Sequence, residues 1–153
     1  MRKSGLVSDN VNVATPQDLY DALDAEYHFD FDPCPLNAVA ERTHPSGEWG
    51  QRNYVNPPFR DGKRFLEHNV SQLASGKLSV FLLPANFDTI YWDRYVYPYA
   101  TDIRWLNSKV RFRGYDKPFP ATLVLIEFDP NKPAAYKMGS SGSYRYATFS
   151  QTR

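Results

Sequence analysis

The chain reads as an α/β protein built on a mixed sheet with an antiparallel hairpin at one edge. Leu78 to Leu83 is nearly all apolar, and its Val-Phe-Leu-Leu centre suits a strand covered on both faces inside a parallel sheet. Helix-period and strand-like segments alternate along the chain rather than segregating. Val110–Arg113 and Thr122–Phe128 are closely spaced strand patterns, which suits the edge hairpin.

Residues 1–14 have no strong periodicity and read as a flexible N-terminal arm. Thr15-Pro16 then opens a helix, with Thr15 expected at the N-cap and Pro16 at the first helical position. Leu19, Tyr20, Leu23 and Tyr27 follow on one stripe. Phe29 to Asp32 alternates as a short strand, stopped by Pro33 and Pro35. Leu36 to Arg42 reads as a short helix and the chain to residue 48 as loop. Asn53 to Val55 is a strand that ends at Asn56-Pro57-Pro58-Phe59.

Phe65, Leu66, Val70 and Leu73 lie on one helical stripe within 63–75, closed by Gly76. After the central apolar strand, an aromatic helix is expected over about residues 90–100, starting at Asp88-Thr89. A strand begins at Ile103. Gly139 to Ser143 reads as mobile before a final strand, Tyr144–Phe149. The 153 residues are about one domain's worth, so 15–153 is expected to be a single domain.

Composition narrows the function classes. With 42% hydrophobic and 23% charged residues the chain has enough apolar surface for a core and too much for intrinsic disorder. Cys34 is the only cysteine, which excludes an internal disulfide and any multi-cysteine metal site and fits a reducing cytoplasm. His28, His44 and His68 share no ligand spacing, so no metal site is expected. No stretch resembles an export signal or a membrane span, so a cytoplasmic protein without a membrane partner is expected. Net charge is only +1, but it is unevenly spread: residues 9–48 hold nine acids against Arg42, and residues 49–117 hold eleven bases against six acids. Such polarity suits a phosphate-facing surface in the second stretch, and equally two solvated faces of opposite bias.

The motif with chemical content is Asn56-Pro57-Pro58-Phe59. Consecutive prolines fix φ twice, remove two backbone donors and keep Asn56 out of the helical region. The corner therefore offers acceptors, namely the Asn56 side-chain oxygen and the Pro57 carbonyl, beside the flat face of Phe59. This is a receptor for a planar group bearing an NH₂. When acceptors hold both hydrogens of such an amine, its lone pair is turned toward an electrophile. Stacking on Phe59 would hold the ring, and a base in duplex DNA must flip out to reach the corner.

In these segments the chain resembles the phage-type (Dam-like) DNA N6-adenine methyltransferases. The resemblance spans about residues 14–128. It rests on Thr15-Pro16 with its helix, Phe29-Asp30-Phe31-Asp32-Pro33-Cys34, Asn56-Pro57-Pro58-Phe59, Leu82-Leu83-Pro84-Ala85, Asp88-Thr89 with Trp92, and Ile103-Arg104-Trp105 followed by Lys109-Val110-Arg111-Phe112. It implies a Rossmann-like fold, S-adenosyl-L-methionine as methyl donor, and adenine N6 in flipped-out, double-stranded DNA as acceptor. By the same resemblance Asn56, Pro57, Pro58 and Phe59 form the catalytic corner, while Thr15, Pro16, Asp32, Pro33 and Cys34 line the cofactor site. Phe59 or Tyr54 would then face the cofactor's sulfonium. A phage origin would place the protein in a bacterial host's cytoplasm.

Pro35-Leu36-Asn37 stands where such enzymes carry a glycine-rich loop, and only about twenty residues separate the first strand from the Asn56 corner, so the sheet is expected to be reduced. Phosphate contacts are assigned to Arg60, Lys63, Arg64, Arg104, Lys109, Arg111, Arg113 and Lys117. A homodimer or partner protein would supply target recognition. Other acceptors with a planar NH₂ (cytosine N4, RNA adenine, a glutamine amide) and a catalytically silent nucleic-acid- or partner-binding module are the alternatives.

Overall fold

The structure is a computed structural model describing residues 14–35 and 45–150. The expected helix over Leu36–Arg42 and nearly all of the N-terminal arm lie outside the described residues. Ala14, the arm's last residue, is buried, and it pairs with Arg113 in an isolated antiparallel bridge.

Helix α1 (Gln17–Tyr27) buries Leu23 and Tyr27 and starts one residue later than the sequence pattern implies. Pro16 has extended dihedrals (φ −52°, ψ 135°), and Thr15 makes no cap. Tertiary partners take the Thr15 hydroxyl instead, as described below. The helix ends at His28 in the left-handed region (φ 56°), whose N–H donates to the Asp24 carbonyl at 2.7 Å.

Strands β1 (Arg52–Val55), β2 (Leu78–Pro84), β3 (Asp102–Trp105) and β4 (Leu123–Phe128) form one sheet in the order β1-β2-β4-β3. β1 and β2 are parallel, and β4 runs antiparallel to both β2 and β3. The apolar run Leu78–Leu83 is buried throughout, as its composition requires, but its two neighbours run in opposite directions. A doubly covered strand in a mixed sheet has the same composition as one in a parallel sheet. Expecting a purely parallel interior was therefore incorrect.

Phe29–Asp32 reduces to one parallel bridge, Phe31 to Asn53, which extends the sheet past β1. The edge hairpin also differs from expectation: the partner of β4 is β3, and Val110–Arg113 is not a strand of the sheet. Its alternation is real, since Val110 and Phe112 are buried and Arg111 and Arg113 exposed, but the segment spends its apolar side on the core rather than on a ladder.

Helix α2 (Gly62–Ala74) connects β1 to β2 as the crossover and buries Phe65, Leu66, Asn69 and Gln72. Helix α3 (Ile90–Tyr95) is shorter than expected. Thr89 caps it by accepting from the Trp92 N–H, and Pro98 disfavours helical dihedrals at the residue before it. The region read as mobile is ordered into a second sheet, the hairpin β5 (Tyr136–Ser141) and β6 (Tyr144–Phe149). Gly142 (φ 60°) starts its two-residue loop, a conformation that glycine adopts without strain.

One core cluster, around Leu23, Tyr27, Tyr54, Leu82, Phe112 and Leu125, covers the sheet face under α1. The other, around Val55, Phe65, Phe81, Trp92 and Ile126, packs the opposite face against α2 and α3.

Gly50 lies against the chain entering the Phe31 bridge. A Cβ there would stand 2.4 Å from Asp30 Oδ1 and 2.5 Å from the Phe31 Cβ. Gly50→Ala is expected to lower stability by ~1–3 kcal/mol through this overpacking. Gly142→Ala, with nothing within 4 Å of the new Cβ, loses only the backbone strain of a positive φ, ~1 kcal/mol. Urea denaturation of the two variants checks the ranking.

Candidate functional site

β1, β2 and β3 point the same way, so the segments after them leave from one end of the sheet. Phe31, bridged parallel to β1, sends Asp32-Pro33-Cys34 out at that end too. Asn56 directly follows β1, and Pro84-Ala85 closes β2, with the Ala85 N–H donating to the Thr122 carbonyl at 3.0 Å. In open α/β sheets, ligands bind at such carboxyl ends.

There a cavity of about 210 Å³ is lined by Ala14, Thr15, Gln17, Tyr20, Asp32, Cys34, Tyr54, Asn56 and Arg113. A short hydrogen-bond chain holds its floor. The Tyr54 and Thr15 hydroxyls are 2.6 Å apart, and Asn56 Nδ2 donates to Thr15 Oγ1 at 3.1 Å. Thr15 and Asn56 are both 5% exposed, so these polar groups sit inside the protein rather than on its surface. The chain fixes the plane of the Asn56 amide and commits its donor arm.

Asp32 Oδ1 accepts the Cys34 N–H at 2.8 Å, which turns the backbone behind the carboxylate. Water still reaches Asp32 at the cavity mouth, yet the crowding around it pushes its carboxyl up to about 6, against the pull of the Cys34 N–H. Burial likewise pushes the Cys34 thiol far up, with the Asp32 charge adding to it, so Cys34 is a neutral packing group and not a nucleophile. Burial also raises Tyr54, only partly offset by the Thr15 hydrogen bond, so Tyr54 stays a neutral phenol.

Compared with known protein families, curated proteins and solved structures, the chain matches none. The geometry therefore stands without a relative's site beside it.

Of the residues assigned from sequence, Thr15, Asp32, Cys34 and Asn56 converge on the cavity. Pro33 and Pro57 are buried and shape its backbone without lining it. Pro16 faces a neighbouring groove of about 350 Å³, together with Leu19, Leu106, Lys109 and Arg111. Pro58 is extended (φ −51°, ψ 126°) and its carbonyl accepts from the Asp61 N–H at 2.7 Å, which starts the 3-10 turn Phe59–Asp61. Phe59 is half-buried and packed on Phe119 and Phe112, with ring centroids 4.9 and 5.9 Å away.

The basic residues divide. Arg104 is committed internally: both its terminal nitrogens donate to Glu26, at 2.8 and 2.5 Å, and its Nε to Asp102 at 3.1 Å. Lys109 Nζ donates to the Pro120 carbonyl at 2.7 Å, although the residue stays exposed. Arg113 donates from Nε to the Thr15 carbonyl at 2.8 Å, which brings its guanidinium to the cavity. Lys63, Arg64, Arg111 and Lys117 are exposed and form no ion pair among the described residues, and Arg60 meets Asp61 only at 4.0 Å.

Sequence reasoning missed Tyr20 and Gln17 as lining residues and gave Arg113 a phosphate rather than a cavity position. The one signal available was that Gln17 and Tyr20 follow Thr15 within the first helical turn. No group of three or more His, Cys, Asp or Glu is placed to hold a metal among the described residues, and no helix among them is long and apolar enough to cross a membrane.

Asp32 makes a pH prediction. From the ordinary carboxyl value of 3.8 up to about 6, the folded chain holds this proton more tightly than the unfolded chain. Its contribution to stability therefore falls as pH rises through that window. Asp32→Asn removes the penalty, so the variant is expected to be more stable than wild type at pH 7.5 and to lose the advantage by pH 4. Denaturant melts at the two pH values measure the crossover.

Proposed function

We propose that the protein is an S-adenosyl-L-methionine-dependent methyltransferase acting on the N6 amine of adenine in DNA, on a reduced Rossmann-like fold. The observation that carries the reading is the convergence of Asn56, Thr15, Asp32 and Arg113 on one cavity at the carboxyl ends of the strands.

The donor set suits the amino-acid end of the cofactor. Asp32, when ionised, complements an ammonium, and Arg113 complements a carboxylate. Tyr54 and Tyr20 line the same cavity, and the electron-rich face of an aromatic ring attracts a sulfonium. When bound, S-adenosyl-L-methionine supplies an electrophilic methyl group. The chain's own part is orientation. Asn56 Nδ2 is spent on Thr15, so the amide's oxygen arm is the one assigned to an amine hydrogen, and the Pro57 carbonyl, which is set back from the cavity lining, is assigned the second once the base enters. The ring's amine is thereby held with its lone pair directed away from both acceptors, and the displaced proton leaves to water.

Phe59, wedged on Phe112 and Phe119, acts in this reading as a fixed wall for the base rather than a mobile lid. The exposed Arg60, Lys63, Arg64, Lys109, Arg111 and Lys117 supply phosphate contacts around the corner.

A second reading, a module that binds nucleic acid without transferring a methyl group, is favoured by one observation. The cavity's 210 Å³ is below the ~300–1,000 Å³ typical of small-molecule sites. Calorimetry with the cofactor separates the two, since a silent module gives no saturable heat.

Tritiated cofactor with unmethylated duplex DNA tests the transfer. Asn56→Ala is expected to remain folded and to lose ~100-fold or more in rate, the scale of removing one oriented polar group. Equal incorporation by wild type and variant rejects the assignment. Because an ionised Asp32 is the partner of the ammonium, cofactor affinity is expected to rise as pH passes upward through about 6, and Asp32→Asn is expected to flatten that profile. Isothermal titration across pH reads both.

A further inference from the structure

On the sheet face opposite the Asn56 cavity, two large aromatic side chains stand in solvent at the same strand ends. Phe87 is 41% exposed and Trp105 is 55% exposed, with ring centroids 6.1 Å apart at 48°. Phe87 follows β2 by three residues, and Trp105 is the last residue of β3. Trp105 stands level with Val124 and, through it, with Leu83 near the end of β2.

Phe87 is braced from behind by the fully buried Trp92, edge-on at 5.2 Å, and its carbonyl accepts the Tyr97 hydroxyl at 2.9 Å. Phe87 is thus held by core contacts, and Trp105 packs against it. Ile90, at 71% exposure, lines a cleft together with Phe87.

We infer that Phe87 and Trp105 form a stacking platform for an unpaired base of the nucleic acid whose phosphates meet the basic strand ends. Charge argues for this occupant. The segments after β1 and β3 carry Arg60, Lys63, Arg64, Lys109, Arg111 and Lys117, with Asp61 and Asp116 the acids among them, and they leave from the same end of the sheet as Phe87 and Trp105. Aromatic rings and basic residues at one end of a sheet are the combination that binds bases and phosphates together.

On the far side of Phe87 a cleft of about 550 Å³ opens toward the β5–β6 hairpin, lined by Ile90, Tyr144 and Tyr146 and carrying Asp88 and an Asp93–Arg145 pair. Asp93 is paired with Arg145 there, so Asp88 is the acid of that cleft without an ion pair among the described residues, and the phosphates are assigned to the basic strand ends. With strands ~4.8 Å apart, the order β1-β2-β4-β3 sets the ends of β1 and β3 ~14 Å apart across the sheet.

The inference rests on the proposed nucleic-acid substrate but not on methyl transfer. Its readout is built in: Trp49 and Trp92 are 3% and 0% exposed, so Trp105 is the solvent-facing one of the three tryptophans. Fluorescence titration of the full chain with a short unmethylated duplex, and with its single strand, is expected to quench the exposed-tryptophan emission. Acrylamide protection of that emission should appear in parallel. Trp105→Phe should bind with near wild-type affinity and show no such quench. Trp105→Ala and Phe87→Ala should each weaken binding ~10-fold or more, more for the single strand than for the duplex. Circular dichroism and the buried-tryptophan emission verify folding.

Oligonucleotide binding without quenching, unchanged affinity in Trp105→Ala, or no oligonucleotide binding at all each overturns the platform. Quenching in a protein that transfers no methyl group upholds the platform while rejecting transfer. Transfer that persists with unaltered affinity in Trp105→Ala rejects the platform alone.

Discussion

The arrangement depends on how the chain is stitched at the β1 edge. Asn53 is wholly buried, and its side chain is fully employed: Nδ2 donates to the Gly50 and Leu78 carbonyls, both at 2.9 Å, and Oδ1 accepts the Gly50 N–H at 2.9 Å. The same residue is the bridge partner of Phe31, and Tyr54 N–H donates to the Phe31 carbonyl at 3.1 Å. A buried amide with every bond made is worth keeping, whereas one left half-satisfied would cost more than an apolar replacement. This clasp sets β1 against β2 and fixes where Phe31 lies. It thereby decides that Asp32 and Asn56, more than twenty residues apart in sequence, leave the sheet side by side.

The cavity that results holds one acid unlike the others in the fold. Asp32 is pushed up to about 6 beside Cys34 and Tyr54, which burial keeps neutral, so the acid is the perturbed group of the cavity. Groups so perturbed cluster at functional sites. Elsewhere the charged groups are arranged for stability: Glu127 is buried but accepts from Tyr27 and Thr101, at 2.6 and 2.7 Å, and pairs with Lys132 at 3.1 Å. These bonds hold its carboxyl below the usual range although burial opposes them. Asp32 has the one backbone donor at 2.8 Å and no cation within ion-pairing distance among the described residues, which is the difference between a structural acid and one suited to a cationic ligand.

The two faces of the sheet divide the work. One carries the cavity beneath α1, and the other carries α2, α3 and the aromatic ledge. Basic residues gather where the strands end because that is where the loops are. Arg104, inside a strand, is consumed by Glu26 and Asp102, while Lys63, Arg64, Arg111 and Lys117, on helix start and loops, remain exposed.

Local patterns were legible wherever local physics sufficed. The buried run Leu78–Leu83 had to be a strand, the stripe through Phe65 and Leu73 had to be a helix ending near Gly76, and the two prolines after Asn56 had to make an extended corner. The proline corner singled out Asn56, whereas Thr15, Asp32 and Cys34 were singled out only through the resemblance, and the structure brings the four together. Which way each strand runs was not legible, because a side chain buried on both faces carries no record of its neighbour's direction. That Thr15 would hydrogen-bond Tyr54 instead of capping its helix, that Arg113 would turn to the cavity, and that Phe87 and Trp105 would meet were decided by contacts between segments 18 to 98 residues apart. Spacing along the chain encodes such contacts only through the complete packing of the sheet.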